Sequence, residues 1–586
     1  MALGLNNTTV DNINAYIFNN IAFTSVDTSF SSSLTRILKG VRYSVLFEGR
    51  LYNSSQIKEE LLTHGHIFLT NTESEIILFS YLEYGKDFLT KLDGIFSLAI
   101  YDFESESLFL ARDRLGIKPL YYAECGDFIF SSKIKGILNH PNMVAKVGKD
   151  ELCEIFGLGP ARSPGKTFFK GIYELMPGHY GIYSNYEFKT YKYWDLETTT
   201  VQDNIEQSIQ KTKDLVTTSL KRELVADNPV CAMLSGGLDS SVLSMLASKE
   251  NEKLTTFSID FKENENNFSG TDYQPTRDSD YVVIMQDFLK SNHINLYFST
   301  GEIFDALKDA MLAREMPGMA DVDSSLLVFC NKIKECGFST VISGECSDEI
   351  FGGYPWYYKE HLINSPTFPW SRSIETRKNI INPNLVSEYY LEEYVEKAFQ
   401  STSNNVVYNS TDEMENKFRK TCYNTIKWFM NTLVERSVRI SDMTGLEIRV
   451  PFADYRIFEY IYNVSSKYKL GLIDGNDTPI EKYLLRKAFE EELPYNVVYR
   501  KKSPFPKTYD PEYTKLLENT IKDIVNKSTS PLLNVINVRY LYEILQTRGG
   551  NLKENWFGQL MTYPQTLAYL IQINMWLEEY NVIVDI

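Results

Sequence analysis

Eight consecutive residues, Leu234-Ser235-Gly236-Gly237-Leu238-Asp239-Ser240-Ser241, carry the densest chemical signal in the chain. Two glycines let the backbone turn tightly and aim its N–H groups at one point, and three serines add hydroxyl donors. Such a loop suits an anion, a phosphate above all. It lacks a Gly-Lys-Ser/Thr ending, so it is not the Walker type that grips β- and γ-phosphates. Asp239 would repel a phosphate unless a magnesium ion lay between them. A second loop reads Ser343-Gly344-Glu345-Cys346-Ser347-Asp348-Glu349-Ile350-Phe351-Gly352-Gly353-Tyr354, with three carboxylates in five residues. The plain alternatives are a glycine-rich turn for the first loop and a solvated acidic loop for the second.

The elements around these loops argue for the chemical reading. Residues 229–234 form an apolar run that reads as a strand, and a helix is expected from Ser240 to Ser248. Strands at 254–260 and 294–298 alternate with a helix at 279–290, a rhythm that predicts a parallel sheet flanked by helices. The second loop follows a short strand at 339–342. In an open parallel sheet, loops leaving the carboxyl ends of strands share one crevice, so Asp348 is expected to meet Asp239 across a magnesium–pyrophosphate group. Beyond about residue 375 the chain reads as mainly helical. Before residue 200 the pattern is strand-rich, with strands at 41–51 and 96–102, a hairpin partner at 107–111 and a helix at 73–84. A polar, Thr-rich stretch at 196–204 reads as a linker. Two domains are expected, 1–200 and 201–586.

Taken together, SGGLDSS and, about a hundred residues later, SGECSDEIFGGYPW resemble the synthetase domain of asparagine synthetases. GLEIRVPFADYRIFEY (445–460) and YRKKSPFPKT (499–508) match the AsnB-like branch of that family, and GIFSLAIYD and ARDRLGIKPLYY match its amino-terminal domain. The resemblance covers nearly the whole chain. It implies an α/β protein with an Ntn-hydrolase-like αββα glutaminase-type domain. A PP-loop parallel-sheet synthetase domain, adenine nucleotide α-hydrolase-like, follows with a helical extension. It also implies a reaction in which ATP adenylates a carboxylate, pyrophosphate leaves, and an amine displaces AMP. Carried over by position, Ser235, Gly236, Gly237, Leu238, Asp239, Ser240 and Ser241 hold pyrophosphate, and Asp239 and Asp348 bind magnesium. Leu234, Ile259, Ser343 and Gly344 border the nucleotide. Glu345 serves formation or use of the acyl-adenylate, and Lys502 steadies charge developing at the α-phosphate. Without the family, Arg500-Lys501-Lys502 would read as an exposed basic turn.

The amino-terminal half departs from the family at its reactive positions. Glutaminases of this type use a cysteine exposed as the first residue after methionine removal. Here position 2 is Ala, and the first cysteine is Cys125. A methyl group cannot attack an amide. Residues 3–35 lack the RHRGPD-type stretch. The family's NGEIYN appears as Glu48-Gly49-Arg50-Leu51-Tyr52-Asn53, placing a carboxylate where an asparagine helps form the oxyanion hole. Glu73 stands where an aspartate would hold the glutamine amino group. The half is therefore expected to keep its scaffold and lack glutaminase activity; Ala2 alone would also fit an engineered inactivation, but several losses favour natural decay.

The acyl substrate is less defined. Where free-aspartate enzymes carry an arginine upstream of the second acidic loop, an ungapped alignment places Asp321, which would prefer an amino group to a carboxylate. The expected partners are a small-molecule or peptide carboxylate and ammonia or another amine donor. One reading is an amide ligase using ammonia. Another is a ligase or cyclase using an amine of its own substrate, as β-lactam synthetases and lasso-peptide cyclases do. A third is a pseudoenzyme acting only as a partner subunit, against which the intact loops argue.

Composition narrows the remaining classes. The formal charge of −17 disfavours nucleic acid and anionic membrane surfaces as partners, and with them a tRNA-modifying PP-loop enzyme. No stretch approaches the roughly 18–20 apolar residues that span a bilayer. The start lacks a signal-peptide layout, so a cytoplasmic location is expected. Seven scattered cysteines without a CxxC pair suggest neither a disulfide framework nor a zinc site. Oligomeric state is not readable, with a homodimer as the candidate.

Overall fold

A computed structural model describes residues 13–18, 21–26, 31–226, 228–251, 253–262, 264–268, 276–473 and 478–586. The chain forms two compact units: residues up to Ala145 together with Pro164–Asp195, and Lys146–Ser163 together with Leu196–Ile586. A single boundary near residue 200 therefore leaves Lys146–Ser163 out of account.

In the first unit, six antiparallel strands follow one another across one sheet: β1 (Ser31–Leu38), β2 (Val41–Leu51), β3 (Gly94–Asp102), β4 (Ser107–Arg112), β5 (His179–Ser184) and β6 (Glu187–Lys192). Successive side chains of a strand point to opposite faces, and β3 buries both. Leu98 and Ile100 join Ile57, Leu61, Ile76 and Phe79 of helices α1 (Ser54–Thr63) and α2 (Glu73–Tyr84). Ala99 and Tyr101 join Leu120, Phe128 and Leu175 on the other side, where strands Tyr121–Glu124, Phe128–Ser131 and Ile172–Glu174 form a second sheet. The short helix Ile134–Leu138 packs on that second sheet, completing an αββα stack. Buried Arg112 links the two sheets, donating to Glu174 Oε1 at 2.7 Å and to the carbonyl of Leu175 at 2.9 Å.

The second unit opens with α3 (Ile205–Glu223), whose first turn is closed reciprocally by Asn204 and Gln207. Then come β7 (Val230–Met233), α4 (Leu238–Glu250), β8 (Thr255–Phe261), α5 (Asp278–Leu289), β9 (Asn292–Phe298), α6 (Asp321–Glu335) and β10 (Thr340–Ile342). A distant strand, β11 (Glu447–Arg449), completes a parallel sheet in the order β9-β8-β7-β10-β11. The order reverses between β7 and β10, so the loops leaving these two strands open onto one crevice. The rest is helical, including α7 (Asn431–Thr444), which contacts α6. The stretch expected to be a linker is pinned to this unit: Leu196 is buried and the Thr199 N–H donates to Asn463 Oδ1 at 2.8 Å. No helix among the described residues is long and apolar enough to cross a membrane.

Candidate active site

β7 delivers Leu234 to the crevice, and the chain turns through Ser235, Gly236 and Gly237 into α4. Gly236 has φ 66°, and a Cβ there would lie 2.5 Å from the Tyr281 Cβ and 2.7 Å from its carbonyl carbon, so no other residue fits. Ser240 Oγ closes the turn, lying 3.0 Å from Ser235 Oγ, accepting from the Ser235 N–H at 3.2 Å and donating to the Gly237 carbonyl at 3.2 Å. Arg500 braces the loop by donating to the Ser235 carbonyl at 3.1 Å, pairing with Asp278 and stacking 4.1 Å above the Tyr281 ring.

The second loop leaves β10 and runs close against α4. A Cβ on Gly344 would lie 3.0 Å from Asp239 Cβ. Cys346, at φ 73°, turns the chain into the helix Ser347–Phe351, and Ser347 Oγ donates to Asp239 Oδ1 at 2.7 Å. Between the loops stands Lys482. Its Nζ lies 2.5 Å from Asp239 Oδ2 and 2.6 Å from Asp348 Oδ1, while Lys502 Nζ lies 2.5 Å from Asp348 Oδ2. Gly353 makes room for this cross, since a Cβ there would fall 1.9 Å from Asp348 Oδ1 and 2.4 Å from Lys482 Cε. Burial pushes the Asp348 carboxyl up, but Lys482 and Lys502 outweigh it and hold the group below its ordinary value. Burial alone would lower the Lys502 ammonium, and Asp348 and Asp239 reverse that. Two carboxylates thus face one cation position. A magnesium ion that also binds phosphates takes only one or two protein carboxylates, so Asp239 and Asp348 fit it as hard oxygen donors. Among the described residues no group of three or more His, Cys, Asp or Glu side chains gathers around one point.

A cavity of about 230 Å³ extends from the glycine loop past Asp348 and the segment that carries Lys502. On its far side Glu345 Oε1 accepts from Ser437 Oγ at 2.6 Å, with Arg436 Nη1 at 3.6 Å, both residues of α7. Burial raises the Glu345 carboxyl, and Arg436 and Ser437 offset only part of the rise. Burial and the neighbouring Asp348 likewise raise Glu349, whose Oε1 accepts from Tyr354 OH at 2.7 Å. This end can hold a carboxylate near a phosphate cradle with a proton-accepting group beside it.

Leu234, Ser235, Gly237, Asp239, Ser240, Ile259, Ser343, Gly344, Glu345, Asp348 and Lys502 all line this cavity. Gly236, Leu238 and Ser241 do not: Gly236 packs on α5, and Leu238 and Ser241 are buried inside α4. Asp321 also lies off the wall. It begins α6, is buried, and accepts from Gln565 Nε2 at 3.1 Å. The basic turn is only partly exposed, because Arg500 is buried on Asp278 and Lys501 alone faces solvent. Sequence reasoning missed Lys482, Arg436, Ser437 and Glu349. Lys482 had one detectable trait, a lysine directly before the apolar run of the helix Tyr483–Phe489.

In the first unit, Glu48 lies 3.6 Å from Lys118 Nζ. Gly49 has φ 136°, and a Cβ there would overlap the Ile95 carbonyl oxygen. Glu73 Oε1 accepts weakly from the Leu51 N–H at 3.5 Å, and burial raises its carboxyl. Ala2 and part of the 3–35 stretch lie outside the described residues.

A parallel sheet with a glycine-serine loop at its switch point, facing paired carboxylates and two lysines, fits the class of PP-loop α/β domains suited to binding phosphate groups. Comparison with known proteins makes the class specific. Residues 211–578 match the family model described as asparagine synthase, and residues 32–194 match that of the glutamine amidotransferase domain. The chain is 40% identical over 554 residues to asparagine synthetase [glutamine-hydrolyzing] 3 of Bacillus subtilis, covering 93% of this chain and 89% of that protein. A probable asparagine synthetase [glutamine-hydrolyzing] of Dictyostelium discoideum is 27% identical, over 78% of this chain and 71% of its own length. Asparagine synthetase [glutamine-hydrolyzing] 2 of Bacillus subtilis is 28% identical, over 86% and 68%. The chain belongs to the asparagine synthetase family and is an ATP-dependent carbon–nitrogen ligase.

Proposed function

We propose that the chain adenylates a carboxylate, aspartate or a related side-chain carboxylate, and transfers ammonia to it without a glutaminase activity of its own. The observation that carries this reading is the meeting of Asp239, Asp348, Lys482 and Lys502 at the mouth of the glycine loop. A substrate carboxylate oxygen attacks the α-phosphorus of ATP, the Pα–O bond to the β-phosphate breaks, and pyrophosphate leaves toward Ser235, Gly237 and Ser240. Lys502 and Lys482 meet the charge that develops there. Bound magnesium would neutralise the pyrophosphate, with Asp239 and Asp348 holding it. Ammonia then attacks the acyl carbon, AMP departs, and Glu345 takes the proton released by the attacking nitrogen, a role suited to its raised carboxyl. Loss of glutaminase chemistry is supported by Ala2, which offers no nucleophile, and by the carboxylates of Glu48 and Glu73 in place of an amide and a shorter acid.

Pyrophosphate release tests the reading. With ATP, magnesium, a carboxylate panel and ammonium, the parent is expected to release pyrophosphate and AMP. Asp239→Ala and Lys502→Ala are each expected to lose on the order of 10²-fold or more. Variants indistinguishable from the parent would sink the assignment. Product formed from a substrate amine with ammonia inert would move the chain to the cyclase-type alternative.

A further inference from the structure

One buried acid close to the site takes no part in the steps above. Asp323 stands on α6, is fully buried, and does not line the cavity. Its Oδ2 accepts from the Met319 N–H at 2.8 Å and from Arg314 Nη1 at 3.2 Å. Gly318 leaves room for that oxygen, since a Cβ there would fall 2.1 Å from it. Behind Arg314 lies Glu435, 3.5 Å from its Nη2, and Glu435 pairs in turn with Arg162. The other oxygen of Asp323 meets the site. Oδ1 lies 3.2 Å from Arg436 Nε.

Arg436 is thereby shared between two acids. A guanidinium beside a carboxylate often closes on it with two parallel N–H···O bonds. Arg436 does not close on Glu345: Nη1 stays 3.6 Å from Oε1, Nη2 has no hydrogen-bond partner, and the Phe505 ring lies 5.1 Å from the group. A single side-chain hydrogen bond holds Glu345, from Ser437 Oγ to Oε1 at 2.6 Å, and its buried Oε2 has none. A buried donor and a buried acceptor left unpaired in neighbouring groups cost stability, and such groups call for a functional reason. Cys330 of α6 and Cys346 also lie beside Glu345, but burial raises both thiols and they stay neutral. The charges that act on Glu345 are those of Arg436 and Asp323.

We infer that Asp323 is a positioning residue for amide formation: by drawing on the Arg436 guanidinium it keeps Glu345 out of a closed ion pair and leaves that carboxylate able to take the proton of the attacking nitrogen. This rests on the adenylation reading of the same site and on the place of Glu345 in it. In the step concerned the bond from nitrogen to the acyl carbon forms, the bond from that carbon to the AMP oxygen breaks, and one proton passes from nitrogen to Glu345. Asp323 touches none of these atoms and acts through Arg436. Without its charge Arg436 would close on Glu345, which would then give up its proton at lower pH and be the weaker base.

The test compares two reactions of the full chain, with aspartate, glutamate and a capped aspartyl peptide as the acids. One is ATP–pyrophosphate exchange without amine, which reads adenylation alone. The other is amide formation across pH at a fixed concentration of free ammonia. Asp323→Asn keeps acceptors for Met319 and Arg314 and removes the charge. It is expected to move the acidic limb of amide formation to lower pH by about one unit and to lower the plateau ~10-fold, with exchange kept within about threefold. Arg436→Gln removes the cation instead and should move the same limb to higher pH. Opposite shifts are a signature that a merely structural role would not give, and Arg436→Gln decides alone if Asp323→Asn does not fold. Limbs that coincide with the parent's, or equal losses in exchange and amide formation, overturn the inference and leave the adenylation reading standing. No exchange with any of the acids, although ATP binds, overturns the adenylation reading and the inference with it.

Discussion

Lys482 occupies the point where two carboxylates would otherwise repel each other, with Nζ within 2.6 Å of both Asp239 and Asp348. Its backbone has φ 57°, a left-handed conformation rare outside glycine, and such local strain concentrates at functional positions. Replacing it by methionine keeps the length and removes the charge. Lys482→Met is expected to lower pyrophosphate release on the order of 10²- to 10³-fold at saturating ATP. A loss under threefold would show that the lysine only fills space. Gly353→Ala should give a similar loss, since its Cβ would displace the Asp348–Lys482 contact. Asp239 and Asp348 were legible in the sequence because each follows an apolar strand and a glycine. Lys482 was not, because it lies 243 residues beyond Asp239 and no local pattern records a contact made by folding.

At the scale of elements, α6 and α7 are joined by buried charge, and two acids there titrate in opposite senses. Burial alone would raise Glu435, but Arg162, Arg314 and Arg439 hold it at about 2 against an ordinary 4.5. The folded state therefore binds fewer protons than the unfolded one between those values. Glu435 stabilises fully above about pH 4.5, and that stability is lost as pH falls toward 2. The contribution is about 3 kcal/mol, and Glu435→Gln should cost about 3–5 kcal/mol at pH 7 by leaving three buried arginines short of a partner. Urea melts would read it. Asp321 runs the other way, raised to about 6 from 3.8 by burial, with Gln565 and Lys507 offsetting only part. Here the folded state holds its proton more tightly, so stability falls as pH rises from about 4 to 6 and levels off above. Asp321→Asn should remove that slope, gaining on the parent by up to about 3 kcal/mol between pH 4 and 6. Parallel pH-melt curves for parent and variant would contradict it. The strand–helix alternation behind this architecture was readable because the hydrophobic period switches between about two and 3.6. The burial of Asp321 was not, because an acidic residue at a helix start looks the same whether it faces water or core.

For the whole molecule, the nitrogen source divides the possibilities. Glutamine is expected to yield no glutamate above the buffer rate, while ammonium or a substrate amine supports product. Ala2→Cys restores a thiol but leaves Glu48 beside Lys118 and Glu73 behind Leu51, so glutamine hydrolysis should stay absent. Glutamate released by Ala2→Cys at the rate of pyrophosphate release would return the glutaminase to the enzyme. The expectation of a loss came from single residues set against the family pattern. The place of Lys146–Ser163 in the second unit was not legible, because its turn signals, Gly157-Leu158-Gly159-Pro160, do not tell which body a segment joins.

That segment is held by buried partners. Arg377 Nη1 donates to the carbonyls of Phe156 and Gly159 at 3.0 and 3.1 Å, Trp556 Nε1 donates to Gly159 at 3.0 Å, and Tyr569 OH donates to Ile155 at 2.8 Å. A gene shortened to begin at residue 201 would strip every one of these acceptors, leaving Arg377 Nη1 and the Trp556 and Tyr569 donors buried without them, although Arg377 keeps Ser373 Oγ and the Trp556 carbonyl. Selection can relax on amidotransferase chemistry codon by codon, at positions 2, 48 and 73. It is less free to discard the reading frame that carries them, because eighteen of its codons encode a segment of the second unit.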